Sequence, residues 1–277
     1  MSQLSGKVIR PILKEIIEEN LKKVPLDFYI YGDSSNPDCV SYQKSLEKLL
    51  NSFSIPYRVS SYNKNKTEEE NLLAFKNEIK DSSVLLLRPL PIKNENLFIE
   101  SIPSSQDPDM LSNINRGILF SGDLSYLPAT AKSVMTILKY YHVKVESKNV
   151  VVLGRSLSLG LPCFELINGM NGNVTLLHSK SLREDLNEYI KKADVIILAT
   201  GKTGLICENM IKDGATIIDC GFSYGSGDLG FIPADNALYD YTPVPGGVGS
   251  LTSYCLIQNA IFLKAKELGK LDSIKNI

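Results

Sequence analysis

The 277-residue sequence contains no tryptophan and only two histidines, and its five cysteines are scattered without a CxxC pair. Zinc sites draw on histidine and on closely spaced cysteines, and disulfide frameworks need paired cysteines. Neither a metal site nor a disulfide framework is therefore expected. We expect the cysteines to be small hydrophobic residues buried in the core.

The sequence also lacks an excess of one charge and a long apolar run. Its formal net charge is −1, which gives no electrostatic reason to expect nucleic acid or a membrane surface as a partner. No apolar stretch approaches the roughly 20 residues that span a bilayer. The N-terminal segment mixes charged and apolar residues and has no apolar signal-peptide centre. These features predict a cytoplasmic protein.

Strand-like apolar segments alternate with segments of helical periodicity along the whole chain. This alternation predicts an α/β protein with mainly parallel sheets, and the length allows two domains. The Pro-, Ser- and Asn-rich residues 92–129 are expected to be less regular. Thr67 with Glu70 has the spacing of a helix capping box. The predicted strands are 28–31, 55–60, 83–87, 149–153, 174–177, 195–199 and 216–219, and the clearest helices are 8–22, 39–52, 128–142 and 253–268.

The second half of the chain contains a candidate dinucleotide site. The apolar strand 149–153 runs into the turn Gly154-Arg155-Ser156-Leu157-Ser158-Leu159-Gly160. A glycine turn between a strand and a helix lets backbone approach a pyrophosphate at a helix N-terminus. This turn departs from GxGxxG, and glycine is common in such loops, so the motif alone is a weak signal.

The end of the next strand bears on the choice of cofactor. NAD-preferring folds place Asp or Glu there, about 20 residues after the first glycine. This chain has His178-Ser179-Lys180 at that point, and Arg155 in the turn. Cationic and hydroxyl groups favour the extra phosphate of NADP, although a solvated strand end is the alternative interpretation. Residues 199–204 and 219–221 end two further strands at the same edge, where ligands of such sheets bind.

Several motifs together resemble the methylenetetrahydrofolate dehydrogenase/cyclohydrolase family. They occur in the family's order over nearly the whole chain, and the most specific is the run Thr242 to Gly249. The set comprises Asn36-Pro37 with Ser41-Tyr42, Arg88-Pro89-Leu90-Pro91, Asp107-Pro108-Asp109, Asn115 with Gly117, Pro128-Ala129-Thr130, Gly154-Arg155-Ser156 with Gly160 and Pro162, His178-Ser179-Lys180, Ala199-Thr200-Gly201-Lys202, and TPVPGGVG at 242–249.

The resemblance implies a fold and an activity. It implies a folate-binding α/β domain at 1–129, with a C-terminal helix at 253–277 packing back on it. It further implies a Rossmann-like dinucleotide-binding domain at 130–252 and a cleft between the two domains. Family members commonly form homodimers. Their usual reactions oxidise methylenetetrahydrofolate to methenyltetrahydrofolate with NAD(P) and hydrolyse that product to formyltetrahydrofolate.

The resemblance also implies roles for individual residues. Tyr42 corresponds to the family's active-site tyrosine and Asp109 to its pterin-binding aspartate, so both are candidate catalytic residues. Leu46, Leu87, Pro245, Gly246 and Gly247 complete the candidate substrate site. The candidate cofactor site, for NADP with NAD possible, comprises Thr130, Gly154, Arg155, Ser156, His178, Ser179, Thr200, Gly201, Gly221 and Gly249.

The departures from the family pattern concern the substrate site. Leu46 stands where the family has a lysine one helical turn after its tyrosine, and Leu87 aligns with its glutamine. Lys44 and Lys48 should point to the far side of the helix from Tyr42. Three further departures are Cys39 for a serine, Met110 for a glycine and Ser250 for a proline.

Three functions remain open at the sequence level. The first is a dehydrogenase whose hydrolytic step is weak or absent, because leucine cannot activate water. The second is the usual bifunctional enzyme, with another basic group, such as Arg88, entering the site. A one-residue slip in the alignment would place Arg88 at the glutamine position. The third is a non-catalytic folate- or nucleotide-binding protein, which the intact cofactor segments disfavour.

Overall fold

The computed structural model describes residues 2–221, 226–234 and 236–275. The chain forms two compact units. The larger unit is formed by the residues up to Leu13 and by Leu119–Cys255. The smaller unit contains Lys14–Ile118 and Leu256–Asn276.

The described residues contain eight strands and nine α-helices, along with short 3-10 helices. The strands are β1 (Phe28–Gly32), β2 (Tyr57–Ser61), β3 (Ser83–Leu86), β4 (Asn149–Leu153), β5 (Asn173–Leu177), β6 (Val195–Leu198), β7 (Thr216–Asp219) and β8 (Asp240–Tyr241). The helices are α1 (Arg10–Leu21), α2 (Pro37–Ser52), α3 (Glu68–Ile79), α4 (Asn96–Ile99), α5 (Asn113–Phe120), α6 (Ala129–Tyr140), α7 (Gly160–Gly169), α8 (Arg183–Lys192) and α9 (Thr252–Glu267).

The smaller unit is built on a three-stranded sheet in the order β2-β1-β3, with both pairings parallel. Strand β1 is central and all five of its residues are buried, as expected of a parallel strand covered on both faces. An aromatic cluster that includes Tyr31, Phe75 and Phe98 forms much of one core layer. This sheet fixes the ends of β1 and β3, from which α2 and the Arg88 loop continue.

The larger unit is built on a five-stranded parallel sheet in the order β5-β4-β6-β7-β8. Strands β6 and β7 are buried along their whole length. The strand order reverses between β4 and β6, because β5 lies on one side of β4 and β6 on the other. In open α/β sheets, ligands bind beyond the carboxyl ends of the strands at such a switch point.

The sequence predicted the α/β class and the parallel sheets correctly. Strands β4 and β7 have the predicted bounds, and the capping box at Thr67 and Glu70 is confirmed. Residues 92–129 were expected to be less regular, and they contain the short helices α4 and α5 before α6 begins at Ala129. Helix α5 was missed because asparagine and glycine lower its helix propensity, whereas Ser112 Oγ accepts from Asn115 N near its start.

The cysteine prediction is correct for three of the five residues. Cys39, Cys163 and Cys255 are buried, but Cys207 is exposed and Cys220 is intermediate. Cys207 directly precedes a short 3-10 helix and lies between the buried residues Ile206 and Met210, but it is itself exposed. Across the described ranges, no helix combines the length and apolarity needed to cross a bilayer.

Candidate active site

The main candidate cofactor site is a pocket of about 510 Å³ at the carboxyl ends of β4, β5 and β6. It lies at the switch point of the larger sheet, where the topology predicts a ligand. Six of the ten predicted cofactor residues line it: Gly154, Arg155, Ser156, His178, Ser179 and Thr200. Three segments that are more than 20 positions apart in sequence are thus gathered at the carboxyl ends of the strands.

Gly154 allows two strand ends to come unusually close. Its φ is +117°, and a Cβ at this position would lie 2.1 Å from the Ala199 carbonyl oxygen. No other residue fits this combination of left-handed backbone and close contact. The loops after β4 and β6 can therefore present backbone directly to the pocket, as a dinucleotide site requires.

Ser156 connects the turn to the helix behind it. Its hydroxyl accepts a hydrogen bond from Gly160 N (3.3 Å), the first residue of α7. The N-terminus of α7 thereby follows directly on the glycine turn and supplies a partial positive charge at this end of the pocket. A pyrophosphate is the kind of group that such a turn and helix terminus bind.

The pocket lining is cationic. Arg155, Arg183 and Lys202 line it, and none of the described residues that line it is Asp or Glu. Sequence analysis missed Arg183, which begins α8 and donates from a guanidinium nitrogen to Leu205 O (2.6 Å). The lining therefore suits a ligand with several negative charges, such as a phosphorylated dinucleotide.

The other four predicted cofactor residues do not line this pocket. Gly201 follows Thr200 directly, Thr130 is the second residue of α6, and Gly221 lies two residues beyond the end of β7. Gly249 lies in the short 3-10 helix Val248–Ser250. Their part in binding a cofactor remains a prediction.

Two buried carboxylates organise the loops at this edge, and sequence analysis assigned a role to neither of them. Asp219 accepts hydrogen bonds from Gly221 N (2.8 Å), Asp228 N (3.0 Å) and Leu229 N (2.9 Å). Asp228 accepts three more through one oxygen, from Thr200 N, Thr200 Oγ1 and Gly201 N. Burial raises the pKa of Asp219, while its backbone hydrogen bonds act in the opposite direction. The only sequence signal was Asp219 at a strand end.

The TPVPGGVG motif forms a compact turn in the larger unit. Gly6 N donates to Gly246 O (2.9 Å). Ser250, which departs from the family's proline, lies with its hydroxyl 2.6 Å from Gly247 O and donates within the turn. A second pocket, of about 380 Å³, is lined in part by Asp219 and residues 242–244. Pro245, Gly246 and Gly247 adjoin that lining in sequence and do not belong to it.

The predicted residues of the smaller unit include two fully apolar positions. Tyr42 and Leu46 both lie on α2, where Tyr42 is half-buried and Leu46 is 0% exposed. Leu87 directly follows β3 and is 4% exposed. Lys44 and Lys48 are exposed on α2, in agreement with the predicted helix geometry. The two positions that the resemblance aligns with a lysine and a glutamine of the family therefore both hold a buried leucine.

The two aspartates of the motif at 107–109 differ in environment. Asp107 is buried and accepts from Leu111 N, Ser112 N (both 2.8 Å) and Asn115 Nδ2 (3.0 Å), so it holds the loop before α5. Burial raises the pKa of Asp107, whereas these hydrogen bonds act to lower it. Asp109 is half-buried. Met110 has a φ of +54°, a left-handed conformation that explains why glycine suits this position in the family.

Arg116 interacts electrostatically with both aspartates and with Arg88. Arg88 Nε pairs with Glu95 Oε2 at 2.6 Å, and Cys39 Sγ donates to Arg88 O (3.6 Å). Burial lowers the pKa of the Arg116 guanidinium; Asp107 and Asp109 raise it and Arg88 lowers it further. Arg116 Nε is buried without a hydrogen-bond partner among the described residues. Arg88 is thus already engaged, and Arg116 is a cation that sequence analysis missed.

The larger unit therefore has the fold and the pocket of an NAD(P)-binding protein. Comparison with known proteins gives the same result. The profile of the family described as "Tetrahydrofolate dehydrogenase/cyclohydrolase, NAD(P)-binding domain" matches residues 128–268.

The chain belongs to the tetrahydrofolate dehydrogenase/cyclohydrolase family. It is 34% identical over 271 residues to the bifunctional protein FolD of Clostridium perfringens, covering 92% of this chain and 96% of that protein. The crystal structure of the bifunctional FolD enzyme of Campylobacter jejuni superposes with a TM-score of 0.88 at 31% identity, covering 96% of this chain and 99% of the other. The Trypanosoma brucei enzyme, solved with NADP and an inhibitor, has a TM-score of 0.85 at 26% identity, covering 96% and 98%.

The burial of Leu46 generates a prediction about stability. Replacing Leu46 with lysine should lower the free energy of unfolding by more than about 3 kcal/mol, because the charge would enter an apolar environment without a partner. Leu73→Lys is the matched control: Leu73 is 61% exposed on α3, and its replacement should change stability by about 0.5 kcal/mol at most. Urea unfolding followed by circular dichroism measures both. Equal stability of the two variants would show that position 46 accommodates a lysine.

Proposed function

We propose that this chain oxidises methylenetetrahydrofolate to methenyltetrahydrofolate by hydride transfer to NADP, and that its hydrolysis of the methenyl product is weak or absent. The observation that carries the proposal is a contrast between the two units. The cofactor pocket brings six predicted residues together, whereas the family's lysine and glutamine positions hold the buried Leu46 and Leu87.

The pocket of the larger unit fits a nicotinamide dinucleotide phosphate. When bound, that cofactor supplies the hydride acceptor. Gly154 brings backbone within reach of its pyrophosphate, and Ser156 and the α7 N-terminus provide donors and a partial charge. Arg155, Ser179 and Arg183 provide charge and a hydroxyl for the extra phosphate, with no carboxylate among the described lining residues to repel it.

Substrate binding is assigned to Tyr42 and Asp109 by family resemblance. Hydride transfer needs mainly positioning and tolerance of the positive charge that develops on the folate. The Asp109 carboxylate, half-buried beside the ordered Asp107 loop, suits that role. Hydrolysis of the methenyl group additionally needs an ionisable group that activates water. Leucine supplies none at position 46 or 87.

The bifunctional alternative has specific support. The similar proteins from Clostridium perfringens and Campylobacter jejuni are both described as bifunctional. In this chain, the alternative requires a relocated base. Arg88 is paired with Glu95, and a guanidinium remains protonated at neutral pH, so Arg88 is a poor base.

We further propose a folate-binding domain at 1–129 with helix 253–277, a dinucleotide-binding domain at 130–252, a homodimer and a cytoplasmic location. A purely binding function is the third alternative. It would be favoured if the protein bound NADP and folate without forming reduced cofactor.

The cationic pocket predicts a preference for NADP. We expect kcat/KM to be at least about tenfold higher with NADP than with NAD, because one charge-assisted contact contributes roughly 1.5–3 kcal/mol. Arg155→Gln should reduce this ratio. The control Lys191→Gln removes an exposed cation of α8 outside the pocket and should leave the ratio unchanged. Equal or better use of NAD by the wild-type protein would contradict the prediction.

If Asp109 binds the folate, its replacement should impair catalysis with the folate substrate and leave cofactor binding intact. Asp109→Ala should lower kcat/KM for methylenetetrahydrofolate by roughly 10–100-fold, as expected for one lost hydrogen bond from a charged group, and leave NADP affinity unchanged. Asp81→Ala, at an exposed position of the same unit, is the control. Thermal unfolding must accompany the kinetics, since an unfolded Asp109→Ala variant would identify a structural residue instead.

The loss of the family's lysine predicts that the methenyl product accumulates. General acid–base assistance typically contributes about 10²–10⁴-fold, so hydrolysis should stay near the buffer rate without it. The measurement follows the disappearance of added methenyltetrahydrofolate at neutral pH with and without protein. Strong acceleration by the wild-type protein would establish the bifunctional alternative. Arg88→Leu and the exposed-lysine control Lys48→Leu would then test whether Arg88 is responsible.

A further inference from the structure

Asp228 holds the loop after β6 without belonging to the lining of the cofactor pocket. Its side chain is 2% exposed, and its Oδ2 accepts from Thr200 N (2.6 Å), Thr200 Oγ1 (2.9 Å) and Gly201 N (2.9 Å). Thr200 lines the pocket and Asp228 does not. We propose that Asp228 is a positioning residue for the nicotinamide dinucleotide, acting through the Thr200–Gly201 backbone. The inference rests on the proposed NADP-dependent function.

The position of Asp228 is fixed from behind by the end of β7. Asp219 Oδ1 accepts from Asp228 N, and Asp219 Oδ2 accepts from Leu229 N. Asp219 is itself anchored, because its backbone N donates to Thr242 Oγ1 at 2.7 Å. The loop after β6 is thus connected through Asp228 and Asp219 to β7 and to the segment that follows β8. This chain of contacts spans three neighbouring strands of one sheet.

Gly221 leaves room for this arrangement. A Cβ on Gly221 would lie 2.0 Å from Asp228 Oδ1 and 2.6 Å from Asp228 N. Any larger residue would push Asp228 away from the Thr200 loop. The structure therefore gives Gly221, which was predicted as a cofactor residue, a second reason to be glycine.

The geometry of the loop explains why such support is needed. Gly201 has a φ of +66° and Gly204 a φ of +75°, so the segment has two points at which backbone turns easily. Glycine also has the largest conformational freedom to lose on ordering. The Asp228 carboxylate fixes two consecutive N–H groups and one hydroxyl before the cofactor arrives. Such preorganisation lowers the entropic cost of binding.

The test compares two carboxylates that lie at opposite ends of the strands of the same sheet. Asp228→Asn keeps the shape and removes the charge that strengthens the three hydrogen bonds. Asp194→Asn is the matched control: Asp194 precedes β6, accepts from Asn149 N (2.8 Å) and pairs with Lys212 (2.7 Å). Both variants are titrated with NADPH by fluorescence, at a temperature where circular dichroism shows each to be folded.

The expected result is a selective change in cofactor binding. Asp228→Asn should weaken NADPH about tenfold, raise the KM for NADP in parallel and leave the KM for methylenetetrahydrofolate unchanged. Asp194→Asn should lower the melting temperature without changing NADPH affinity. The inference is overturned if Asp228→Asn only lowers the melting temperature, or if both variants weaken NADPH equally. If the wild-type protein does not bind NADPH, the proposed function fails instead.

If the Asp228→Asn variant does not fold, a measurement on the wild-type protein tests the inference instead. In the unliganded wild-type protein, the amide protons of Thr200 and Gly201 should exchange with solvent at least tenfold more slowly than that of Thr203. Thr203 belongs to the same loop, and its amide donates no backbone hydrogen bond in the described structure. Equal exchange rates would show that the carboxylate does not hold the loop, and would overturn the inference without any variant.

Discussion

The larger unit depends on how its parallel strands end. Strands β4, β6 and β7 stop at a common edge, and beyond that edge their backbone N–H groups need acceptors. Asp219 and Asp228 supply them, accepting six hydrogen bonds between them, five of which come from backbone N–H groups. Two buried carboxylates are costly to desolvate, and these hydrogen bonds to three of the four oxygens offset part of that cost, while Asp228 Oδ1 has no partner among the described residues. The cost is concentrated where loops must be held in place for a ligand.

Gly154 complements these carboxylates from the other side of the switch point. The carboxylates draw the loops after β6 and β7 together, while Gly154 lets the loop after β4 approach Ala199 to a distance that a side chain would forbid. The pocket that results is lined by cationic side chains and by the glycine turn that precedes α7. An anionic dinucleotide is recognised by this combination more than by any single residue.

In the smaller unit, the two aligned positions on α2 and after β3 are apolar. Leu46 and Leu87 are buried and apolar, so the packing of α2 on the sheet needs no polar partner at either position. The charged groups lie instead on the loops around Asp107 and Arg88. A leucine in such a place has no charge to desolvate, and it offers no acid–base group. The same apolar side chain thus favours packing and contributes no proton chemistry.

The sequence predicted those features that depend on local pattern. Strands β4 and β7 are short apolar runs, and Thr67 with Glu70 satisfies a capping rule that involves only neighbours in sequence. Strand β8 has two residues, too few to show periodicity, and α5 contains poor helix formers.

Asp228 and Arg183 were missed for a different reason. Asp228 accepts hydrogen bonds from residues that are 27 and 28 positions away in sequence, and Arg183 donates to a residue 22 positions away. Only the folded sheet brings these partners together. Arg116 likewise looks like an ordinary helical surface residue until the buried Asp107 is placed beside it. Side-chain support of a site is therefore the part that local pattern predicts least, because it is set by which loops the topology makes neighbours. In this protein Asp219, Asp228 and Arg183 give that support from outside the motifs that carry the family resemblance, so the motifs alone do not account for how the loops are held.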